Sequence, residues 1–509
     1  MSALEPAPLR AGPVEDVEQA VPGPVRIERA PGRAAERSYD LIVIGGGIHG
    51  VALCLEGSLR GYRTLLLEQA DFGGATSWSS LRIIHGGLRY LQSLDLSRFF
   101  QSVAERRWFL RHFPDLVRPL PCLMPLYGRG VRRPVVLRLA LALNDALSSR
   151  RNRGIAEDAR LPGGRVLDAS GTAALFPGVD REGLRGGALW HDALMLSPER
   201  VLIEMLRWAV TGGALALNYV EAERMIVEDG EVRGVEARDR LSGERLVFRS
   251  PRAINAAGAW CQSLVPQTDR RAPHLFHPAL AFNLLLDWPA IAEVAVAVEP
   301  RRPGARMYFI VPWRSRMLAG TFHAPAATDA VEPRPTEEQV TAFLDDLNAA
   351  VPGLGLRRGE VVQVYAGLLP AQREGGAEPA SRETIHDHGQ SGGPRGLWTV
   401  VGIKFTTARA VAAATMDKIA ADGRGAPGSK GRVPRPAPAP GVGAVPPGLE
   451  LSVDDLRGLV EREAVIRSDD LLMRRMDSTQ SLLDRPRAEE VARALFDAAA
   501  FEAGETRRE

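Results

Sequence analysis

The stretch from Tyr39 to Glu68 limits the fold more than any other part of the chain. Leu41-Ile42-Val43-Ile44 is a short, β-branched apolar run, the kind that forms a strand buried on both faces. Gly45-x-Gly47-x-x-Gly50 follows, then a helical stretch from Val51 to Arg60 and a second apolar run, Thr64 to Leu67, ending at Glu68. This order predicts a dinucleotide-binding βαβ unit. In such a unit the first glycine makes the tight turn, the second admits a pyrophosphate, and the third lets helix and strand pack closely. The helix N-terminus offers N–H groups and partial positive charge to the phosphates, and an acid at the end of the second strand can accept from ribose hydroxyls. Glu68 stands at that position.

A chain of 509 residues can bury a large core and is expected to hold more than one domain. Its net charge of +2, with no basic face interleaved with aromatics, gives no reason to expect nucleic acid as a partner. The three cysteines, Cys54, Cys122 and Cys261, have no paired spacing, which argues against a disulfide framework or structural zinc and for a reducing, cytoplasmic compartment. His386-Asp387-His388 lacks a third ligand and reads as a loop, so no metal is expected. No apolar run reaches the ~20 residues that span a bilayer, so any membrane contact is peripheral.

Residues 1–38 are rich in Pro, Ala, Glu and Arg, have no signal-peptide core, and are expected to be disordered. A helix is predicted over Leu94 to Phe113, and another over Pro198 to Val210 with Ser197 as its N-cap. Alternating strands follow from Ala214 to Phe248, leading into Arg252-Ala253-Ile254-Asn255-Ala256-Ala257-Gly258-Ala259-Trp260, a strand ending in small residues. Residues 279–368 read as a mixed or antiparallel sheet forming a substrate domain. Leu397 to Val401 is a strand, Gly402 a turn, and Lys404 to Ala421 a helix. The chain therefore reads as α/β. A Rossmann-like domain (about 39–120, 195–262 and 380–422) is interleaved with the substrate domain, and a Pro/Gly-rich linker at 423–448 leads to a small helical unit at 449–509.

The segments IGGGIHGVAL, LRGYRTLLLEQADFGGATS, IIHGGLRYL and VRPLPCLMPLY resemble the FAD-dependent, quinone-linked glycerol-3-phosphate dehydrogenases, within the wider D-amino-acid-oxidase-like flavoproteins. RAINAAGAW, RMYFIVPW, VVGIKFTTARAVA and DDLLMRRMDSTQ extend the resemblance over nearly all of 39–500. It implies FAD as cofactor, bound by Gly45, Gly47, Gly50, Glu68, Thr76, Ser77, His85, Gly86, Gly87, Ala257, Gly258, Trp260, Gly402, Lys404, Phe405 and Thr406. It implies hydride transfer from a secondary alcohol to flavin, with electrons passed to quinone or another acceptor. His85, Arg89, Tyr90, Arg306 and Lys404 are the candidate catalytic and substrate-pocket residues. His85 suits either a proton acceptor or a structural residue that orients its loop. Gly86 and Gly87 would bring backbone close to the flavin, and a helix starting at Gly402–Thr406, with Lys404, would stabilise charge on the reduced ring.

Three departures bear on substrate. Leu369 stands where the family places an anion-binding arginine, the second glycine and the tyrosine of the GGK motif are missing around Ile403 and Ala408, and Phe322-His323 replaces a Thr-Asp pair. Glycerol 3-phosphate or a related, less anionic hydroxy compound is therefore expected, with Arg373 as another available cation. An amine or amino-acid oxidase and a catalytically inactive flavoprotein are the alternatives. Residues 129–153 place many arginines and one acid, Asp145, around an apolar core, so they suit either an anionic membrane interface on the inner face of the cytoplasmic membrane or a helix lying over the substrate domain. A homodimer is one assembly the resemblance admits.

Overall fold

The computed structural model describes residues 25–128, 133–269, 271–327, 333–422, 435–437 and 453–476. The linker expected at 423–448 lies outside these residues except for 435–437, as do most of the expected helices beyond 476. The chain divides into two compact units, one of 1–78, 197–277 and 380–509, the other of 79–196 and 278–379.

The first unit is built on a six-stranded sheet. Its order is Thr384–Asp387, Leu397–Val401, Ala253–Asn255, Leu41–Ile44, Thr64–Leu67, Leu215–Leu217, and only the 384–387 edge strand runs antiparallel. Leu41–Ile44 and Thr64–Leu67 are buried at every position, as their continuous apolar runs require. The helix Ile48–Leu59 crosses between them and packs against Pro198–Thr211 and Ala408–Ala420. Ser197 caps Pro198–Thr211 by accepting from the Arg200 N–H at 3.1 Å. A three-stranded meander, Val220–Glu228, Glu231–Asp239 and Arg245–Arg249, shares one apolar core with the sheet through Ile42, Leu65, Val235 and Phe248.

The second unit is a nine-stranded mixed sheet. Its order is Val361–Pro370, Pro278–Leu286, Arg316–Pro325, Tyr308–Trp313, Ala295–Val298, Val117–Leu126, Gly186–Met195, Ile83–Ile84, with Arg165–Leu167 also pairing Gly186–Met195. Only Ala295–Val298 and Val117–Leu126 run parallel.

Four expectations need correction. Residues 79–120 belong to the second unit, because Ile83 and Ile84 pair with Leu194 and Ala193 of its sheet. Residues 25–38 are ordered: Pro31–Ala35 is helical, Tyr39 Oη donates to the Ala34 carbonyl at 2.8 Å, and Ile27 bridges to Glu463. The segment 453–476 is no separate unit. Leu456, Leu459, Val465, Leu471 and Leu472 form its apolar cluster, and Arg475 and Glu463 pair with Asp71 and Arg200 of the first unit. Finally, Phe405–Thr407 is a single 3₁₀ turn and the α-helix begins only at Ala408.

Candidate active site and cofactor cradle

In the first unit the glycine turn is closed from three sides. Gly45 has φ +105°, and a side chain there would put its Cβ 2.6 Å from the Ala256 carbonyl oxygen. Ala256 in turn donates its N–H to the Ile44 carbonyl at 2.8 Å, so the small residues ending Ala253–Asn255 are needed for contact with the turn itself. A Cβ on Gly50 would run into the Gly45 carbonyl, and one on Gly47 would meet Ser77 Oγ. Ser77, in the 3₁₀ turn Thr76–Trp78, accepts the N–H of Ile48 at 2.9 Å and so caps the first turn of the helix.

Glu68 braces this turn. Its two carboxylate oxygens accept the N–H groups of Gly46 at 2.5 Å and Ala70 at 2.8 Å. Burial pushes its pKa up, opposed by those two backbone donors. Ala257 and the 3₁₀ turn Gly258–Trp260 are shaped by buried Asn255, whose Nδ2 donates to the Cys261 carbonyl at 2.8 Å and whose Oδ1 accepts from the Ala257 N–H at 3.2 Å. The sequence reading passed over Asn255, although an amide between a strand and a Gly-containing turn is a signal for such a role.

Gly402 ends the Leu397–Val401 strand, and a Cβ there would overlap the His49 ring. His49 Nε2 is buried with no hydrogen-bond partner among the described residues, and burial lowers its pKa to about 4. Lys404 has extended backbone and an exposed side chain, followed by Phe405 and Thr406 in the 3₁₀ turn. The tight turn, the close-packed backbone, the braced carboxylate and the orphaned imidazole nitrogen fit a dinucleotide of the FAD type.

In the second unit His85 and Gly86 hang on one carboxylate. Asp192 Oδ2 lies 3.1 Å from His85 Nδ1 and accepts from Trp190 Nε1 at 3.1 Å. Its Oδ1 accepts from the Gly86 N–H at 2.7 Å and Arg106 Nη1 at 2.9 Å. Burial opposes ionisation of Asp192, but the His85 hydrogen bond and charge, the Arg106 charge and the Gly86 N–H prevail and hold its pKa at about 2. The His85 ring is half exposed and lies 5.2 Å, centroid to centroid, from Phe309. Gly86 is explained differently from expectation: a Cβ there would overlap the Arg106 guanidinium. Gly87, at φ +87°, lies against Ser102 and Phe99 of the same helix, Leu96–His112. Both glycines therefore serve close packing of that helix.

Comparison with known proteins places this geometry. Residues 40–418 match the model of the FAD dependent oxidoreductase family. The chain belongs to that family. The glycerol-3-phosphate dehydrogenase of Synechocystis is 31% identical to this FAD-dependent oxidoreductase over 450 residues, 84% of the chain and 78% of the relative. Glycerol-3-phosphate dehydrogenase 1 of Mycobacterium tuberculosis is 32% identical over 430 residues, 80% and 79% of the two chains. The structure of glycerol-3-phosphate dehydrogenase from Bacillus halodurans complexed with FAD superposes with a TM-score of 0.60 at 26% identity, covering 77% of the chain and 66% of that protein. Glycine oxidase from Geobacillus kaustophilus, at 18% identity and a TM-score of 0.52, shares the fold.

The remaining candidates of this oxidoreductase separate into two sets. Tyr90 is in a packed cluster with Leu91 and Phe99, under the guanidinium groups of Arg89 and Arg98 at 5.5 and 5.7 Å. Arg306 donates to the His323 carbonyl at 3.0 Å and to Glu378 at 2.5 Å. His323 is held at a pKa of about 4 by burial and then by Arg306, with Arg89 adding to the effect against Glu378. Arg89, Arg306 and His323 thus share one electrostatic neighbourhood. On the sheet, Ala281 pairs with both His323 and Gly367, and Ala279 pairs with Leu369, two residues along the same face. Among the described residues no group of side chains could hold a metal ion, and no helix is long and apolar enough to cross a membrane.

Proposed function

We propose that this oxidoreductase oxidises the secondary alcohol of glycerol 3-phosphate or a closely related hydroxy compound. The observation that carries the reading is that relatives named glycerol-3-phosphate dehydrogenase match four-fifths of the chain at 31–32% identity. FAD, when bound, supplies the hydride acceptor. Gly45, Gly47, Gly50, Glu68, Thr76, Ser77, Ala257, Gly258, Trp260, Gly402, Lys404, Phe405 and Thr406 would hold it. His85 takes the hydroxyl proton, and its half-exposed ring gives it access to solvent for release of that proton. Arg89 and Arg306 supply positive charge for an anionic substrate. Leu369 and the neutral, partly buried His323 favour a substrate whose anion is gripped less tightly than a row of arginines would grip it.

Electrons leave to quinone, reached by peripheral contact with a membrane. The support is the helix Pro134–Leu147, which exposes Val135, Val136, Leu139 and Leu143 beside exposed Arg133 and Arg138. Leu94, Leu96 and Phe100 are exposed in the same unit. Anaerobic bleaching of the yellow protein by glycerol 3-phosphate, followed by reoxidation with a soluble quinone, tests the reading. Bleaching by amino acids alone would overturn it, and bleaching by no member of a polyol phosphate, hydroxy acid and amino acid panel would indicate an inactive flavoprotein.

A further inference from the structure

The carboxylate beneath the His85 loop is more than a structural anchor. We infer that Asp192 is the positioning residue that makes His85 a proton acceptor, by fixing the hydrogen on Nδ1 and leaving Nε2 bare. The inference rests on the alcohol-oxidising reading and adds a residue and a tautomer to it.

Both oxygens of Asp192 face only donors: His85 and Trp190 on Oδ2, Gly86 and Arg106 on Oδ1. An ionised carboxylate accepts and cannot donate, so the shared hydrogen between Oδ2 and His85 must belong to Nδ1. Neutral imidazole carries one hydrogen, which leaves the Nε2 lone pair as the acceptor. When the substrate alcohol becomes a carbonyl, the hydrogen on its carbon departs with the bonding pair and the hydroxyl proton passes to Nε2. The resulting imidazolium then faces a carboxylate that is already ionised.

The assembly is rigid. Asp192 and Trp190 lie on one long strand, Gly186–Met195, and Arg106 comes from Leu96–His112, where it also donates to the His191 carbonyl at 2.6 Å. The charged and titratable groups around the pair are Arg106, His191 and Cys122, with Arg151 and Arg165 within electrostatic range of that cluster. Arg106 pairs with Oδ1 while His85 faces Oδ2, so Asp192 fixes the tautomer while the net charge of the cluster stays low.

Asp192→Asn is the discriminating variant, since it preserves shape. Arg106 and Gly86 would keep the amide oxygen, turning the NH₂ toward His85 and forcing the hydrogen to Nε2. FAD-loaded wild type, Asp192→Asn, Trp190→Phe and His85→Gln are compared by ¹⁵N spectra of histidine-labelled protein, with His85→Gln assigning the signal, and by anaerobic flavin reduction across about pH 5–9. The wild type should show hydrogen on Nδ1, and Asp192→Asn should move it to Nε2, retain FAD, and slow reduction about 100-fold or more, the scale of general-base catalysis. Trp190→Phe removes a competing donor from Oδ2 and should move the acid limb of the rate profile to higher pH. A wild-type hydrogen on Nε2, or an unchanged tautomer and rate in Asp192→Asn, overturns the inference even if the alcohol is a substrate. Slow reduction in Asp192→Asn beside normal reduction in His85→Gln would also overturn it, since the aspartate would then act through something other than His85. If the whole panel leaves the flavin oxidised, the alcohol reading fails and the ¹⁵N tautomer still decides the pairing.

Discussion

Arg475 grips Asp71 through both terminal nitrogens, at 2.7 and 3.0 Å, across 404 positions of chain. The same guanidinium donates to the Glu463 carbonyl at 2.9 Å, while the Glu463 side chain pairs with Arg200 at 2.7 Å. Asn218 donates to Asp71 at 3.1 Å and to the Ala464 carbonyl at 2.8 Å. Asp71 lies three residues after Glu68, so this buried network ties the 453–476 segment to the loop that follows the cofactor-bracing acid.

Arg475→Met should therefore destabilise the first unit sharply. Removing one partner leaves a buried charge unpaired, which costs about 3–5 kcal/mol. Urea unfolding followed by flavin release measures the loss, and a change below about 1 kcal/mol would mean that the network contributes little.

Gly402 and His49 form a steric pair. Gly402→Ala should overpack the turn and cost about 1–3 kcal/mol, with weaker FAD retention. The double variant Gly402→Ala with His49→Ala should recover most of that loss, because it removes the ring the new methyl meets. Equal instability in the single and double variants would contradict the contact.

Glu68→Ala removes the acceptor of the buried Gly46 N–H in the glycine turn and of the exposed Ala70 N–H beside it. Water can satisfy the Ala70 N–H, but leaving the buried Gly46 N–H unsatisfied costs about 1–3 kcal/mol, so FAD affinity should fall by roughly 10-fold or more, read by quenching of FAD fluorescence on titration. Glu68→Gln keeps one acceptor oxygen and should fall between the two. Unchanged affinity in Glu68→Ala would show that the brace is dispensable.

His323 gives a pH dependence with a definite sign. Its folded pKa of about 4 lies below the ordinary value of 6.5 because burial and the nearby arginines disfavour its charged form. The unfolded chain therefore binds the extra proton first, and stability is fully present above pH 6.5 and lost as pH falls toward 4. The loss should be about 2 kcal/mol at most, since the side chain is partly exposed. His323→Gln should flatten unfolding free energy over that window, and an unchanged slope would assign the dependence to other groups.

The cofactor half of the protein was legible because its signals are local. The βαβ glycines and Glu68 act within one βαβ unit, and the small residues after Ala253–Asn255 mark a strand end in the sequence itself, although Ala256 packs on the distant Gly45 turn. The substrate half depends on register and long-range pairing. The long strands Val117–Leu126 and Gly186–Met195 show no clear alternation in the sequence, since prolines at 119, 121 and 125 and glycines at 186 and 187 mask it. Asp192 was invisible for the same reason: only the antiparallel pairing of Ile83–Ile84 with Ala193 and Leu194 brings it under His85. Arg106 gave no signal either, as one arginine among several on a charged helix whose burial only the sheet explains. Pro31–Ala35 gave no signal because the strand it packs on, Arg245–Arg249, lies over 200 positions away in the chain.

FAD held by the first unit should be reduced by a polyol phosphate whose proton passes to His85. Anaerobic stopped-flow absorbance of the purified yellow protein mixed with glycerol 3-phosphate tests it directly. The flavin band should bleach at a rate that saturates with substrate and slows about 100-fold or more in His85→Gln. A band that stays oxidised at every concentration of glycerol 3-phosphate and related hydroxy compounds, or that bleaches equally fast in His85→Gln, would contradict it.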